Sequence, residues 1–342
     1  MGTEVQDNRV QFVDIAKGIA MICIILGHLG NETINRVVFT FHVPIFFLIT
    51  GYFTTDKRSL SDFIKNKART LIVPYYITCS VIIIIATIVG MITGNAKEAA
   101  LNWIYASLYG SGNSYTEPFY IKSIGALWFL WATFWGSIFL RLSLCFNSLL
   151  RILFVLGLFV AGYLTRNLVW LPLSIQAGAC AVLFMYMGFL FHKAKDVLIK
   201  IPEEIKIFAL VLAMIIWFLF IINFKSFWLV SCDIGRGIVD IIGSLCACSI
   251  VLFISLYIEN KTERFGKLLA YFGNYSLFIL CVHIIELNLF PWWQITSNMV
   301  ENGFPYLLQE PLIVIGKLTI DLFIAWALSK NTYIKKMFGY KS

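Results

Sequence analysis

The residues best suited to chemistry in this chain stand where an apolar sequence has least use for them. Asp14, Lys17 and His28 lie in RVQFVDIAKGIAMICIILGHLG (residues 9 to 30), and His42 follows in FTFHVPIFFLITG (residues 39 to 51). On a helix Lys17 and His28 are eleven residues apart, three turns and a small remainder, so they share a face about 16 Å apart along the axis. Asp14, three residues before Lys17, can pair with it. Histidine is the side chain whose ordinary pKa suits proton transfer near neutrality. His28 is therefore a candidate general base, with Asp14 and Lys17 ordering a polar track beneath it.

Further along, His283 carries Glu286 one turn on, and two i,i+4 pairs appear, Arg236 with Asp240 and Lys317 with Asp321. The two pairs are self-sufficient, and the sequence predicts that each pins its own helix rather than reacts. His192 is expected only to mark a helix end. A basic segment, DKRSLSDFIKNKAR (residues 56 to 69), holds Lys65, Lys67 and Arg69. Most of its charge fits the usual cytoplasmic bias of loops, but Arg69 stands at the expected mouth of a helix, where a guanidinium can bind phosphate.

The elements that must position these groups follow from composition. Of 342 residues 59% are hydrophobic and 13% charged, about half the charge of an ordinary soluble domain, which points to an integral membrane protein. Apolar runs long enough for a hydrocarbon core fall near residues 10–31, 35–53, 70–93, 121–141, 150–165, 172–191, 206–224, 234–258, 267–289 and 309–329. The predicted fold is all-α, a polytopic bundle of about ten transmembrane helices forming one domain over residues 1–342, with the first helix retained. Counted on that division, 20 of the 27 Lys and Arg residues fall on one side, Arg9 and Lys341 among them, which predicts both termini cytoplasmic. His28, His42 and His283 then gather at similar depth in the outer half. Two long outer connections, 94–120 and 290–308, are expected as loops, and their aromatics Trp103, Tyr105, Tyr109, Trp292 and Trp293 are candidates to stack on sugars or to sit in the interfacial belt.

The net charge of +8 needs no nucleic-acid partner. The eight cysteines are scattered through apolar segments and predict neither a disulfide framework nor a metal site.

Several of these runs, taken together and in order, resemble a known family. Asp14-Ile-Ala-Lys17 to Gly27-His28, Phe41-His-Val-Pro-Ile-Phe-Phe, Lys65-Asn-Lys-Ala-Arg-Thr-Leu-Ile-Val-Pro74, Leu127-Trp-Phe-Leu130 and Phe272-Gly-Asn-Tyr-Ser to His283 are similar to motifs of the membrane acyltransferase 3 family, nearest to its fucose 4-O-acetylase type. Two positions depart from it: Lys17 stands where many relatives have Arg, and Leu280-Cys-Val precedes the late histidine where relatives carry Tyr-Leu. The resemblance implies an O-acyltransferase of the inner (plasma) membrane. Its donor would be acetyl-CoA on the cytoplasmic side, with no metal, and its acceptor a hydroxyl of an extracytoplasmic sugar or cell-envelope glycan. It further implies His28 as base with Lys17 and Asp14, CoA phosphates on Arg69, Lys65 and Lys67, and the acceptor among His42, His283, Glu286 and Trp128. A homodimer is compatible with it. Two other classes account for buried charge: a transporter or flippase conducting a solute along the polar track, and a non-catalytic domain that recruits a substrate to a partner enzyme.

Overall fold

The computed structural model describes residues 10–116 and 119–340; Arg9 and Lys341 lie outside the described residues. All ten apolar runs are helical, and no strand forms among the described residues beyond a single bridge between Tyr115 and Ile121. In chain order the helices are α1 (Gln11–Gly27), α2 (Glu32–Val38), α3 (Pro44–Tyr52), α4 (Leu60–Lys67), α5 (Val73–Thr93), α6 (Ala96–Tyr109), α7 (Trp128–Ser143), α8 (Ser148–Thr165), α9 (Ile175–Ile199), α10 (Glu203–Ile222), α11 (Ile238–Lys261), α12 (Glu263–Asn274), α13 (Ser276–Leu289), α14 (Trp292–Glu301), α15 (Tyr306–Ser329) and α16 (Thr332–Met337).

Seven of these helices, joined where continuous, are long and apolar enough to cross a membrane, or eight if α12 and α13 count as one bent span. The protein is therefore a multi-pass membrane protein. The expected ten is reduced by three departures from straight helices. First, α1 has 17 residues and ends at Gly27, short of residue 31. Second, the run 35–53 is divided into α2 and α3. Pro44 has no N–H to give the Thr40 carbonyl, so the helix breaks through Phe39–Val43 and restarts with proline in its first turn. Third, α12 and α13 meet at an angle of 67°, because α12 follows α1 while α13 crosses to α5 and α15.

The connections also carry more helix than expected. Residues 94–120 contain α6, and residues 290–308 contain α14. The basic segment does not lead to a helix mouth at residue 70: Leu60–Thr93 is one continuous 34-residue helix. Within it Ala68–Ile72 forms a π-helical turn, with the Val73 N–H reaching the Ala68 carbonyl. Pro74 lies two residues past that turn, and the wider winding relieves the clash and missing donor that proline brings.

Glycines set the closest approaches. Gly18 of α1 faces the Leu269 carbonyl and Gly273 of α12 faces the Asp14 carbonyl; Gly51 of α3 and Gly188 of α9 face the carbonyls of Met185 and Leu48 in the same reciprocal way. Lipid gives apolar helices little reason to associate, so backbone contact through small residues supplies the packing. At Gly51 a β-carbon would overlap the Met185 carbonyl oxygen, whereas at Gly157 of α8 it would meet nothing within 4 Å. Gly51→Ala is expected to cost about 1–3 kcal/mol, seen as a lower melting temperature in detergent. Gly157→Ala is expected to be neutral or slightly stabilising.

Candidate active site

The end of α1 and the break between α2 and α3 build the heart of the site. His28 follows α1 directly: its backbone N–H reaches the carbonyls of Ile25 and Leu26, and its Nδ1 lies 2.8 Å from the Ile24 carbonyl oxygen. Gly30, at φ +77°, turns the chain, and the Asn31 side chain then accepts from the N–H groups of Thr33 and Ile34 to start α2. In the break after α2, His42 repeats the His28 arrangement, with Nδ1 2.6 Å from the Val38 carbonyl oxygen. A carbonyl only accepts, so in both rings Nδ1 carries the proton and donates it. In the neutral ring each Nε2 then keeps its lone pair, the tautomer a general base requires.

His28 and His42 both line a cavity of about 300 Å³. Its walls are mainly apolar and aromatic, including Phe39, Trp128, Phe129 and Trp228, with Asn113 as a polar group. That composition and size suit a small organic ligand. Trp128 is 6% exposed at the start of α7, and Gly112 passes so close to its indole that a β-carbon there would clash. The loop bearing Gly112 and Asn113 is held by Ser123, whose Oγ donates to the Gly112 carbonyl at 2.6 Å. Lys122, beside it, stands 3.8 Å above the Trp103 ring, and burial lowers its pKa from the ordinary lysine value.

Behind His28 lies a second, buried layer. The His28 and His283 ring centroids are 5.1 Å apart at an interplanar angle of 69°. His283 is fully buried, its Nδ1 2.9 Å from Asp321 Oδ2 and 3.3 Å from Glu286 Oε2. Lys317 Nζ is 3.2 Å from Glu286 Oε1 and 4.6 Å from the centroid of the Trp292 ring. All four ionisable side chains are at most 6% exposed.

This layer corrects one sequence expectation. Lys317 and Asp321 do not pair with each other along α15; each turns toward α13, Lys317 to Glu286 and Asp321 to His283. Self-pairing would have left Glu286 and His283 buried without partners, a costlier arrangement. Arg236 and Asp240 do pair, at 2.6 Å, but Arg236 stands in the turn before α11 and Asp240 in its first turn, so the pair closes the start of that helix.

Among the other candidates, Asp14 and Lys17 form an ion pair at 2.6 Å. They belong to the opposite half of α1, Lys17 about 16 Å and Asp14 about 21 Å from His28 by helical rise. Lys65 and Arg69 are exposed, and Lys67 is half-buried with its Nζ 5.7 Å from the Phe63 ring centroid. None of the three lines the cavity of His28. Thr70, next to Arg69, abuts Gly339, whose neighbours Phe338 and Tyr340 stack on Phe278 at centroid distances of 4.2 and 5.0 Å. Phe278 is five residues, or about 7.5 Å of helix, from His283. His192 packs edge-on against Tyr52, away from the other three histidines. His283, Glu286 and Asp321 place one ligating atom each within 4.8 Å of one another. A cation would fit that spacing, but the Lys317 ammonium already provides positive charge there.

Sequence reasoning missed Asp321 and Lys317 as partners of the histidine layer. The available signal was the acid one turn after His283, which calls for a Lys or Arg partner that α13 does not itself carry.

Known proteins give a consistent picture. The chain is 26% identical over 200 residues to the nodulation protein NolL of Sinorhizobium fredii, which is 54% of this chain and 49% of that protein. It is 26% identical over 158 residues to the nodulation protein NolL of Mesorhizobium japonicum, 42% of this chain and 38% of that protein. The chain thus spans half or less of the length of the curated relatives it matches. No solved structure matches it. A family model described as an acyltransferase domain matches residues 10–330, which contain the cavity, both histidines on it and the ion-paired layer behind. On that match the chain belongs to the acyltransferase 3 family.

Proposed function

We propose that this membrane acyltransferase moves an acetyl group from cytoplasmic acetyl-CoA to a hydroxyl of an extracytoplasmic sugar or cell-envelope glycan. The observation that carries the reading is His28, whose Nδ1–H is committed to the Ile24 carbonyl and whose other nitrogen is free beside an aromatic-walled cavity. His28 Nε2 takes the proton of the acceptor hydroxyl as that oxygen adds to the thioester carbonyl. The C–S bond then breaks, and the thiolate leaves with the proton from His28, giving the ester and free CoA. His28 returns to its neutral form. Placing both the proton and the acceptor in one walled site makes the step effectively unimolecular.

His42 and Trp128 are the cavity residues that would hold the acceptor, one by hydrogen bonding and one by covering an apolar sugar face. Arg69, with Lys65 and Lys67, would bind the CoA phosphates from the cytoplasmic side, leaving the pantetheine arm to pass between helices toward His28. The Asp14–Lys17 pair lies on α1, the helix that ends at His28, and would fix the polar track below it.

The test is acetyl-CoA binding and slow hydrolysis by purified protein in nanodiscs. Arg69→Ala is expected to weaken acetyl-CoA binding by about 10-fold, the loss of one charge-assisted contact, with the melting temperature unchanged because the side chain is exposed. Absence of acetyl-CoA binding in the unaltered protein would overturn the donor assignment.

A further inference from the structure

The layer behind His28 poses a charge problem that its geometry answers. Glu286 and Asp321 bring two carboxylates, and Lys317 brings one ammonium, in a region where none of the three is more than 6% exposed. One negative charge remains without a countercharge, and an isolated charge in apolar surroundings is costly. His283 faces both acids through Nδ1, at 2.9 and 3.3 Å. A lone pair there would oppose two carboxylate oxygens, so Nδ1 carries a proton. Its Nε2 is buried with no hydrogen-bond partner among the described residues. A second proton on that nitrogen brings the four side chains to a net charge of zero.

We infer that Asp321 and Glu286 hold His283 as an imidazolium, a fixed buried cation that positions the charge state of His28. The groups facing His283 are Glu286 on its own helix, Lys317 and Asp321 from α15, and His28 from beyond the end of α1. His28 has only a backbone carbonyl at Nδ1, and its ring centroid is 5.1 Å from that of His283. Two cations at that separation, away from water, repel strongly, so the ring backed by carboxylates keeps the charge and His28 waits as the neutral base. Once His28 has taken the acceptor's proton, the same repulsion drives that proton on to the departing thiolate. Asp321 and Lys317 thereby become positioning residues for the transfer, acting through His283 and His28 without touching substrate. This role rests on the reading of His28 as the base.

Protein labelled with ¹⁵N-histidine in nanodiscs at neutral pH tests the charge directly through the imidazole nitrogen shifts. Of the four histidines, one is expected to show two protonated nitrogens. That signal should vanish in His283→Gln and become neutral in Asp321→Asn. Four neutral histidines in the unaltered protein would overturn the inference, whether or not the protein turns over. Steady-state acetyl transfer then tests the positioning role. Asp321→Asn is expected to lower kcat by about 10- to 100-fold, the usual effect of losing a partner that orients a reacting group, with KM for acetyl-CoA unchanged and part of kcat restored by Asp321→Glu. Equal losses in both variants, each matched by the same fall in melting temperature, would make Asp321 structural and overturn that role. The spectra read a proton and not turnover. An active His28→Ala protein with the imidazolium signal present would therefore remove the base assignment and leave the charged His283 standing.

Discussion

His28→Ala is expected to lower acyl transfer to the acceptor by about 10²- to 10⁴-fold, the range for removing a positioned general base, while acetyl-CoA still binds. The separation of the two effects follows from where the ring sits. His28 lies past the last turn of α1, and the backbone bonds to Ile25 and Leu26 that finish the helix do not need its side chain. Loss of the imidazole therefore enlarges the cavity without unwinding α1. The donor phosphates are assigned to residues of the Leu60–Thr93 helix, outside that cavity. The measurement is turnover against binding in the same nanodisc preparation, with His28→Gln beside it as a variant of similar bulk. Full transfer in His28→Ala would remove this histidine from the chemistry, and the free Nε2 of His42 would be the next base to test.

The second large effect concerns stability. Lys317→Met is expected to destabilise the protein by about 3–5 kcal/mol, because it strands the Glu286 carboxylate in a buried layer. The Lys317 and Glu286 side chains are only 4% and 3% exposed, so solvent does little to screen the loss. Adding Glu286→Gln removes the stranded charge, and the double variant is expected to recover most of the stability. Thermal unfolding in detergent reads both. A Lys317→Met protein that melts with the unaltered one would show that the ion pair contributes nothing to the fold, and a double variant no better than the single one would trace the loss to packing against Trp292 instead.

Much of the architecture was legible because a membrane leaves a sequence few choices. Every backbone polar group must be satisfied within its own segment, so the long apolar runs fold as helices, seven of them long enough to span or eight with the bent pair counted as one. The same constraint made Asp14, Lys17, His28, His42 and His283 conspicuous, since a charged or proton-exchanging side chain in such a run is expensive to place. Less visible were the interruptions. Pro44 announces the break before α3, but the π-helical turn at Ala68–Ile72 sits at the polar edge of its run and the bend at Tyr275 falls in a four-residue stretch, Gly273 to Ser276, too short to divide a run read by hydropathy. The helices α6 and α14 were hidden for the opposite reason: their composition is mixed, and they are held chiefly by packing along α5 and α15.

The sequence by itself determined that this is a helical membrane protein with proton-exchanging groups in its apolar runs, because composition and local spacing are properties of a single segment. Only the tertiary structure decided which of those groups meet. Lys317 and Asp321 have the right spacing to satisfy each other, yet both reach across to α13, because buried charges are settled over the whole layer and not pair by pair. His28 and His283 are 255 positions apart in the chain, and their contact exists because α12 packs along α1 and the bend after it turns α13 back beneath the end of α1.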